Sequence, residues 1–528
     1  MAITTEQSDA AKQEYERRWW ILAVLCFSLL VIVLDNSILN VAIPTIITDL
    51  RATNSQLQWI VDSYTIVFAG LLLTAGALGD KFGRRKALQA GLVIFGFGSL
   101  LAALSSTADQ LISTRALMGV GAALIMPATL SIITNVFPAQ ERGKAIGIWA
   151  GVAGLGAALG PLTGGFLVEH FYWGSVFLVN LPIVVVGLVA GFVLIPDSKD
   201  PTAPRLDPVG AILSIAALSM LLFAIIEAPS EGWLQPKILG IFLVGLLLGG
   251  AFILWERRVA SPMLDMSFFS NPRFSAANGA ITVVFFAMFG SIFLLTQYFQ
   301  FVLDYSPLET GVRMVPFALT LMVVAPSSSK VVLRFGTKRT VTVGLSIVAL
   351  ALLTMTLLEV DSDYWQIMWR LMLLALGMGL TMAPSTDSVM GSLPLGKAGV
   401  GSAVNDTTRQ VGGALGVAII GSVLATVYGS KVNDFLTGVG APSVAVEAAK
   451  SSLGGANMVA AQAPSLEQGK QLLSIANSAF VDALHWSVIV AALPVAVGAG
   501  LVYRFLPATA RTEDLLEQEV EFTAEHEG

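Results

Sequence analysis

Long apolar runs separated by short polar connections fill most of this 528-residue chain. Allowing about 20 apolar residues per crossing of the hydrocarbon layer, fourteen spans fall near residues 19–43, 55–78, 87–106, 109–136, 144–168, 172–195, 208–228, 237–255, 274–302, 307–329, 341–359, 364–386, 399–428 and 476–505. These runs are far longer than barrel strands, and hydrocarbon offers no partner to an exposed peptide group, so the spans are expected to be helices. The pattern therefore predicts an all-α polytopic membrane protein. Composition agrees: 55% hydrophobic residues, only 12% charged and a mean hydropathy of +0.76 exclude an ordinary soluble domain.

Charge placement sets the expected orientation. Of the 30 Lys and Arg residues, 21 lie in loops on the side of the N-terminus or beyond the last span. Five (Arg51, Lys237, Lys431, Lys450 and Lys470) lie on the opposite side, and four arginines lie inside spans. The positive-inside rule then puts both termini in the cytoplasm, as an even number of spans requires. A polar leader, residues 1–18, runs into an apolar stretch of about 25 residues, too long for the core of a cleavable signal, so the first span is expected to remain as an anchor. Residues 506–528 form an acidic tail, and the net charge of -6 argues against a nucleic-acid partner. Cys26, the one cysteine, can form no intrachain disulfide and is assigned to packing.

The chain also repeats itself weakly. The basic loop Lys81-Phe82-Gly83-Arg84-Arg85-Lys86 is echoed 253 residues later by Arg334-Phe335-Gly336-Thr337-Lys338-Arg339. Arg115, Gly119, Gly121 and Pro127 of the fourth span are echoed by Arg370, Gly377, Gly379 and Pro384 of the twelfth. Two related six-helix bundles are thus expected at 19–195 and 273–505, with the linker 196–272 contributing two extra spans. A long outer loop, 429–475, interrupts the second bundle, and a short helix near Ser443–Lys450 is one reading of it. Parallel halves of this kind place a binding site between them near the membrane midplane.

Charged residues inside spans are the candidate chemistry. An Asp at the centre of a membrane helix costs roughly 2.5–3.5 kcal/mol on insertion scales, so Asp35 and Asp62 need a functional or pairing reason to be there. Asp62 shares a helical face with Gln58 and Thr65, a polar stripe expected to line a cavity. Arg115 lies well inside the fourth span and needs carboxylates, carbonyls or water, whereas Arg313 and Arg370 sit nearer span ends and are expected to snorkel. Asn405, Asp406 and Arg409 share the thirteenth span, where cavity lining and a plain intrahelical ion pair both remain open. Tyr64, Phe68, Phe286 and Phe289 supply aromatic walls suited to a lipophilic cation, with Gln297 as a polar neighbour, although lipid contact is the plainer role for most such rings.

The loop Gly76-Ala77-Leu78-Gly79-Asp80-Lys81-Phe82-Gly83-Arg84-Arg85-Lys86 resembles the signature of the major facilitator superfamily between its second and third helices. Gly76 and Gly83 permit close approach and tight turning, while Asp80 can pair with Arg84 or Arg85, or face a helix N-terminus, and so latch the halves. Leu333 replaces that acid in the second copy, so a weaker latch is expected there. With Leu34-Asp35-Asn36 through Pro44, Arg115 through Gly121, and Gly160-Pro161 with Gly164-Gly165 in a glycine-dense fifth span, nearly the whole chain resembles the fourteen-helix drug:proton antiporter branch, the QacA-type exporters.

That resemblance implies proton coupling through Asp35, Asp62 and Arg115, outward pumping through the fifth-span element, and a monomer in a bacterial cytoplasmic membrane. It implies export of hydrophobic, cationic compounds by alternating access, driven by protons without a cofactor. Export of lipid or of an endogenous metabolite is the alternative on the same fold, and a transport-dead sensor is a more distant one. Other classes fit poorly. Gly391 to Lys397 imitates a phosphate loop, but Ala398 stands where Ser or Thr would bind magnesium and no strand precedes it. The three histidines, His170, His485 and His526, are far apart, so neither a metal site nor an enzyme is expected. A channel would need no duplicated hinge helices.

Overall fold

The computed structural model describes residues 5–200, 206–463 and 465–507. The acidic tail from residue 508 and the first four residues of the leader lie outside the described residues. Among those described, every regular element is helical. Thirteen stretches are long and apolar enough to cross a membrane. The 32-residue helix α5, which packs against α1 and α11, supplies the fourteenth crossing.

The first bundle consists of α1 (Thr5–Leu50), α2 (Asn54–Phe82), α3 (Arg84–Ala103), α4 (Ala108–Val136) and α5 (Ala139–His170), with α6 (Ser175–Leu178) and α7 (Asn180–Leu194) sharing the sixth crossing. The inserted pair is α8 (Pro208–Glu231) and α9 (Pro236–Glu256). The second bundle holds α10 (Pro272–Gln297), α11 (Pro307–Phe335), α12 (Thr337–Thr354), α13 (Tyr364–Met390), α14 (Ala398–Gly438) and α17 (Leu466–Phe505), with α15 (Ser443–Ser451) and α16 (Leu453–Ala461) between the last two. Local chemistry sets several starts. Thr53 with Gln56, and Ser306 with Glu309, form reciprocal capping boxes, and Asp207 accepts from the Gly210 N–H at the head of α8.

The duplication is visible as packing. A side chain on Gly121 of α4 would meet the Gly91 carbonyl of α3 at 2.8 Å, and one on Gly91 would meet the Gly121 carbonyl at 2.8 Å. In the second bundle Gly377 of α13 and Gly344 of α12 stand in the same reciprocal relation, at 2.6 and 2.9 Å. Gly119 lies against Tyr64 and Phe68 of α2, as Gly379 lies against Val324 and Ala325 of α11. Helix backbones in hydrocarbon gain from close van der Waals contact, and only glycine permits this spacing.

One part differs from the expectation. The stretch 429–475 is mostly not a loop: α14 continues to Gly438 and α17 begins at Leu466. At 1.5 Å per residue these helices reach about 60 Å, twice the hydrocarbon thickness, so they project beyond it and carry α15 and α16. The Tyr428 hydroxyl fixes that cap by donating to the carbonyls of Ala449 at 3.0 Å and Ser452 at 3.2 Å. The inserted pair touches both bundles. Helix α8 packs on both α2 and α14, while α9 packs on α8 and leaves Leu239, Leu243, Leu246 and Leu247 exposed.

We expect Gly121→Val to destabilise the first bundle by about 1–3 kcal/mol through overpacking, read as a lower melting temperature in detergent. Gly250→Val, on α9 with nothing within 4 Å of the added carbon, should leave it unchanged.

Candidate functional site

The deepest charge in the first bundle is an ion pair between Asp35 on α1 and Arg115 on α4, with side-chain exposures of 0% and 1%. Removing two charges from water is costly, and their attraction offsets that cost only when the remaining donors and acceptors are also met. Here α7 and α2 bond the pair directly, and α3 and α6 hold the α7 amide in place. Asp35 accepts from Asn180 Nδ2 of α7 at 3.0 Å, and the same amide approaches Ser99 Oγ of α3 at 3.0 Å. Ser99 donates to the Phe177 carbonyl of α6 at 2.9 Å. Arg115 Nε donates to the Ile60 carbonyl of α2 at 3.3 Å, and the guanidinium lies 4.3 Å from the centre of the Tyr64 ring. Tyr64 in turn packs beside Phe68.

Asp62 does not join that pair. Ile60, Tyr64 and Phe68 occupy one face of α2, while Trp59, Asp62 and Gly70 occupy another that meets α8. Trp59 contacts the Phe223 ring at 5.7 Å, Gly70 lies against Ser219, and Asp62 interacts with Gln58 and with the charge of Glu227. Thr65 donates to the Val61 carbonyl of its own helix. Asp62 thus lies on the side of α2 that meets the inserted pair, and both Asp62 and Glu227 are half-buried.

The second bundle holds a looser counterpart on α14. Asp406 lies 3.8 Å from Arg409 and receives Asn405 Nδ2 at 3.3 Å and Ser402 Oγ at 3.5 Å. Arg409 donates to Thr386 Oγ1 of α13 at 2.9 Å and stacks over Phe285 of α10 at 5.2 Å. It also stacks over Trp149 of α5 at 4.7 Å, which joins the two bundles, and Trp149 donates to Thr129 on α4. Phe286 is buried against Gly416, Phe289 contacts Gly413 and is 41% exposed, and Gln297 ends α10 half-buried. Arg370, expected to snorkel, is instead buried and donates to the carbonyls of Thr354 and Gln366, while Arg313 stacks on Tyr305 at 3.8 Å.

The signature loop joins the bundles at their basic end. Asp80 accepts the N–H groups of Gly399 at 2.8 Å and Val400 at 3.0 Å, the exposed donors at the start of α14, where the helix dipole favours an anion. Arg84 binds Asp80 at 2.8 Å and donates to the carbonyls of Leu395 and Gly396. Gly76 is obligatory because a side chain there would strike the Gly399 carbonyl at 2.5 Å, and Gly83 turns at φ +112°. Arg85 donates to the Ile195 carbonyl at 3.2 Å.

The glycines of α5 divide between two partners. Gly147, Gly151 and Gly154 pack on Ala325, Met322 and Leu321 of α11 in the other bundle. Gly156 and Gly160 pack on α1 instead, where Ser37 donates to the Gly156 carbonyl at 3.2 Å. The helix continues through Pro161, Gly164 is buried, and Gly165 faces open space.

Sequence reasoning missed Asn180, Ser99, Trp149, Arg142 and Asp387 as site residues. Arg142 of α5 is buried and faces Asp387 of α13, with Arg273 alongside, a charge contact between the bundles at the basic end. For Arg142 and Asp387 the available signal was a charge at a span end. No grouping of three metal-ligating side chains occurs among the described residues.

Comparison with known proteins agrees with this geometry. The family model described as Major Facilitator Superfamily matches residues 25–417. The multidrug efflux pump LfrA of Mycolicibacterium smegmatis is 36% identical over 503 residues, covering 95% of this chain and 99% of the relative. The methyl viologen resistance protein SmvA of Salmonella typhimurium is 35% identical over 479 residues, covering 90% and 94%. Among solved structures, the proton:xylose symporter XylE superposes with a TM-score of 0.60 at 13% identity, covering 96% of this chain and 99% of that one, a likeness of fold. This chain is a transport protein, not an enzyme, and belongs to the Major Facilitator Superfamily.

Proposed function

We propose that the protein is a proton-coupled exporter of hydrophobic, cationic compounds, working as a monomer by alternating access in a bacterial cytoplasmic membrane. The observation that carries the proposal is the buried Asp35–Arg115 pair. It is a place within the membrane-spanning part of the first bundle where a proton and a cation can compete for a carboxylate with its counter-charge already in place. Relatives named for multidrug efflux and methyl viologen resistance support a cationic cargo. The excess of Lys and Arg at the end bearing the signature loop supports a cytoplasmic basic end.

In this reading the contacts of Asp80 with α14, and of α5 with α11, hold the cytoplasmic end closed in the conformation described. A proton arriving from the far side neutralises Asp35 and frees Arg115. The energy required to reopen the cytoplasmic contacts is then drawn from the proton gradient. Asp62 with Glu227, both half-buried, offers an acidic surface to cargo along the way. One charge crossing 100 mV yields about 2.3 kcal/mol, so about 150 mV per proton sustains a gradient of roughly a few hundredfold for a neutral cargo, whereas one-for-one exchange with a monovalent cation moves no net charge and draws on the pH gradient alone.

We expect Asp35→Asn to lower protonophore-sensitive efflux of a fluorescent lipophilic cation at least tenfold in a pump-deficient host, at unchanged membrane levels of the protein. Efflux that continues in that variant, or that survives the protonophore in the unmutated protein, contradicts the reading.

Arg115→Ala should abolish coupled efflux and also lower stability by about 3–5 kcal/mol, because a buried carboxylate loses its partner. Asp35→Asn, which leaves a hydrogen-bonding amide in place, should cost less. Thermal unfolding of the purified variants separates the two.

A further inference from the structure

The segment joining the first bundle to the inserted helices lies across the signature loop. The Asp200 N–H donates to the Asp80 carbonyl at 2.7 Å, and the Arg84 N–H donates to the Ser198 carbonyl at 2.9 Å. Residues 195–200 are thus bound to the α2–α3 turn through main-chain hydrogen bonds on both sides of the latch residues. Asp197 adds only long contacts, 3.9 Å to Arg85 and 3.8 Å to Lys86, with 39% of its side chain exposed. Asp200 is different: its side chain is 3% exposed and pairs across the bundle boundary with Lys397 at 3.4 Å.

We infer that Asp200 is a positioning residue of the gate, a second inter-bundle tie that acts beside Asp80 on the same stretch of the second bundle. Asp80 binds the first N–H groups of α14, and Asp200 binds the side chain of Lys397, which immediately precedes that helix. Since the Asp200 main chain is fixed to the carbonyl of Asp80 itself, the two acids move together. The bundles cannot part at this end without breaking both contacts. Asp200 sits under a crevice of about 180 Å³ that is also lined by Lys81, Asp207 and Pro208, where the inserted helix α8 begins. The tie therefore places the inserted pair in register with the latch, which the signature alone does not do. Removing a partly buried ion pair weakens the hold between the bundles at this end, so its loss should favour the open form.

The inference rests on the alternating-access part of the proposed function, and its test is chosen to be independent of cargo and of protons. Spin labels at Arg17 and Leu333, both exposed on opposite bundles, report the separation at the basic end in the purified full chain without substrate or gradient. Asp200→Asn and Lys397→Gln should each raise the ratio of open to closed molecules about tenfold. The double variant should show little further change, because both substitutions remove one interaction. Asp197→Asn should leave the distance distribution unaltered. Lys397 is the more exposed partner, so its variant is the safer one for folding. An unchanged distribution in Lys397→Gln, or a double variant whose shift is the product of the two single shifts, overturns the inference.

Discussion

A carboxylate and a guanidinium enclosed in an apolar bundle must satisfy each other, and most of the first bundle is arranged around that requirement. Asp35 and Arg115 bring α1 and α4 together, and the groups completing their shell come from α2, α3, α6 and α7. A pair held in low dielectric attracts more strongly than an exposed pair, which solvent screens.

The two bundles repeat their glycine contacts but not their charges. Gly91 with Gly121, and Gly344 with Gly377, set equal helix spacings in each half. The second bundle, however, replaces the tight acid–arginine pair with the looser Asp406–Arg409 contact, and replaces the acid of the signature loop with Leu333, which is 83% exposed. Closure at the basic end is correspondingly asymmetric. On one side Asp80 seats against the start of α14, and on the other α5 and α11 meet through Gly147 and Gly151, with Arg142 facing Asp387 nearby.

Much of this was legible in the sequence because lipid imposes simple rules. Span length, the count of basic residues per loop and the glycine–proline echo between Arg115–Pro127 and Arg370–Pro384 gave the all-helical, two-bundle plan. Asp35, Arg115 and Asp80 stood out because charge is rare in such runs. What stayed hidden was direction and reach. The stripe Gln58–Asp62–Thr65 has the period of a helix face, but period does not say which neighbour the face meets, and here Asp62 lies on the side of α2 that meets α8. Amides and hydroxyls such as Asn180 and Ser99 carry no charge penalty, so nothing in the chain distinguishes them from ordinary packing residues. The extensions of α14 and α17 were obscured by Ala- and Ser-rich composition, which suits a solvated helix as well as a loop.

The most direct measurement of the central claim is the proton count on cargo binding. Purified protein in weak buffer, with a pH indicator, is mixed with a saturating lipophilic cation near neutral pH. If Asp35 exchanges a proton for cargo, the unmutated protein releases protons into the medium and Asp35→Asn, which still binds the cation, releases at least one fewer. Equal release by the two proteins, or binding with no release by either, would contradict the account.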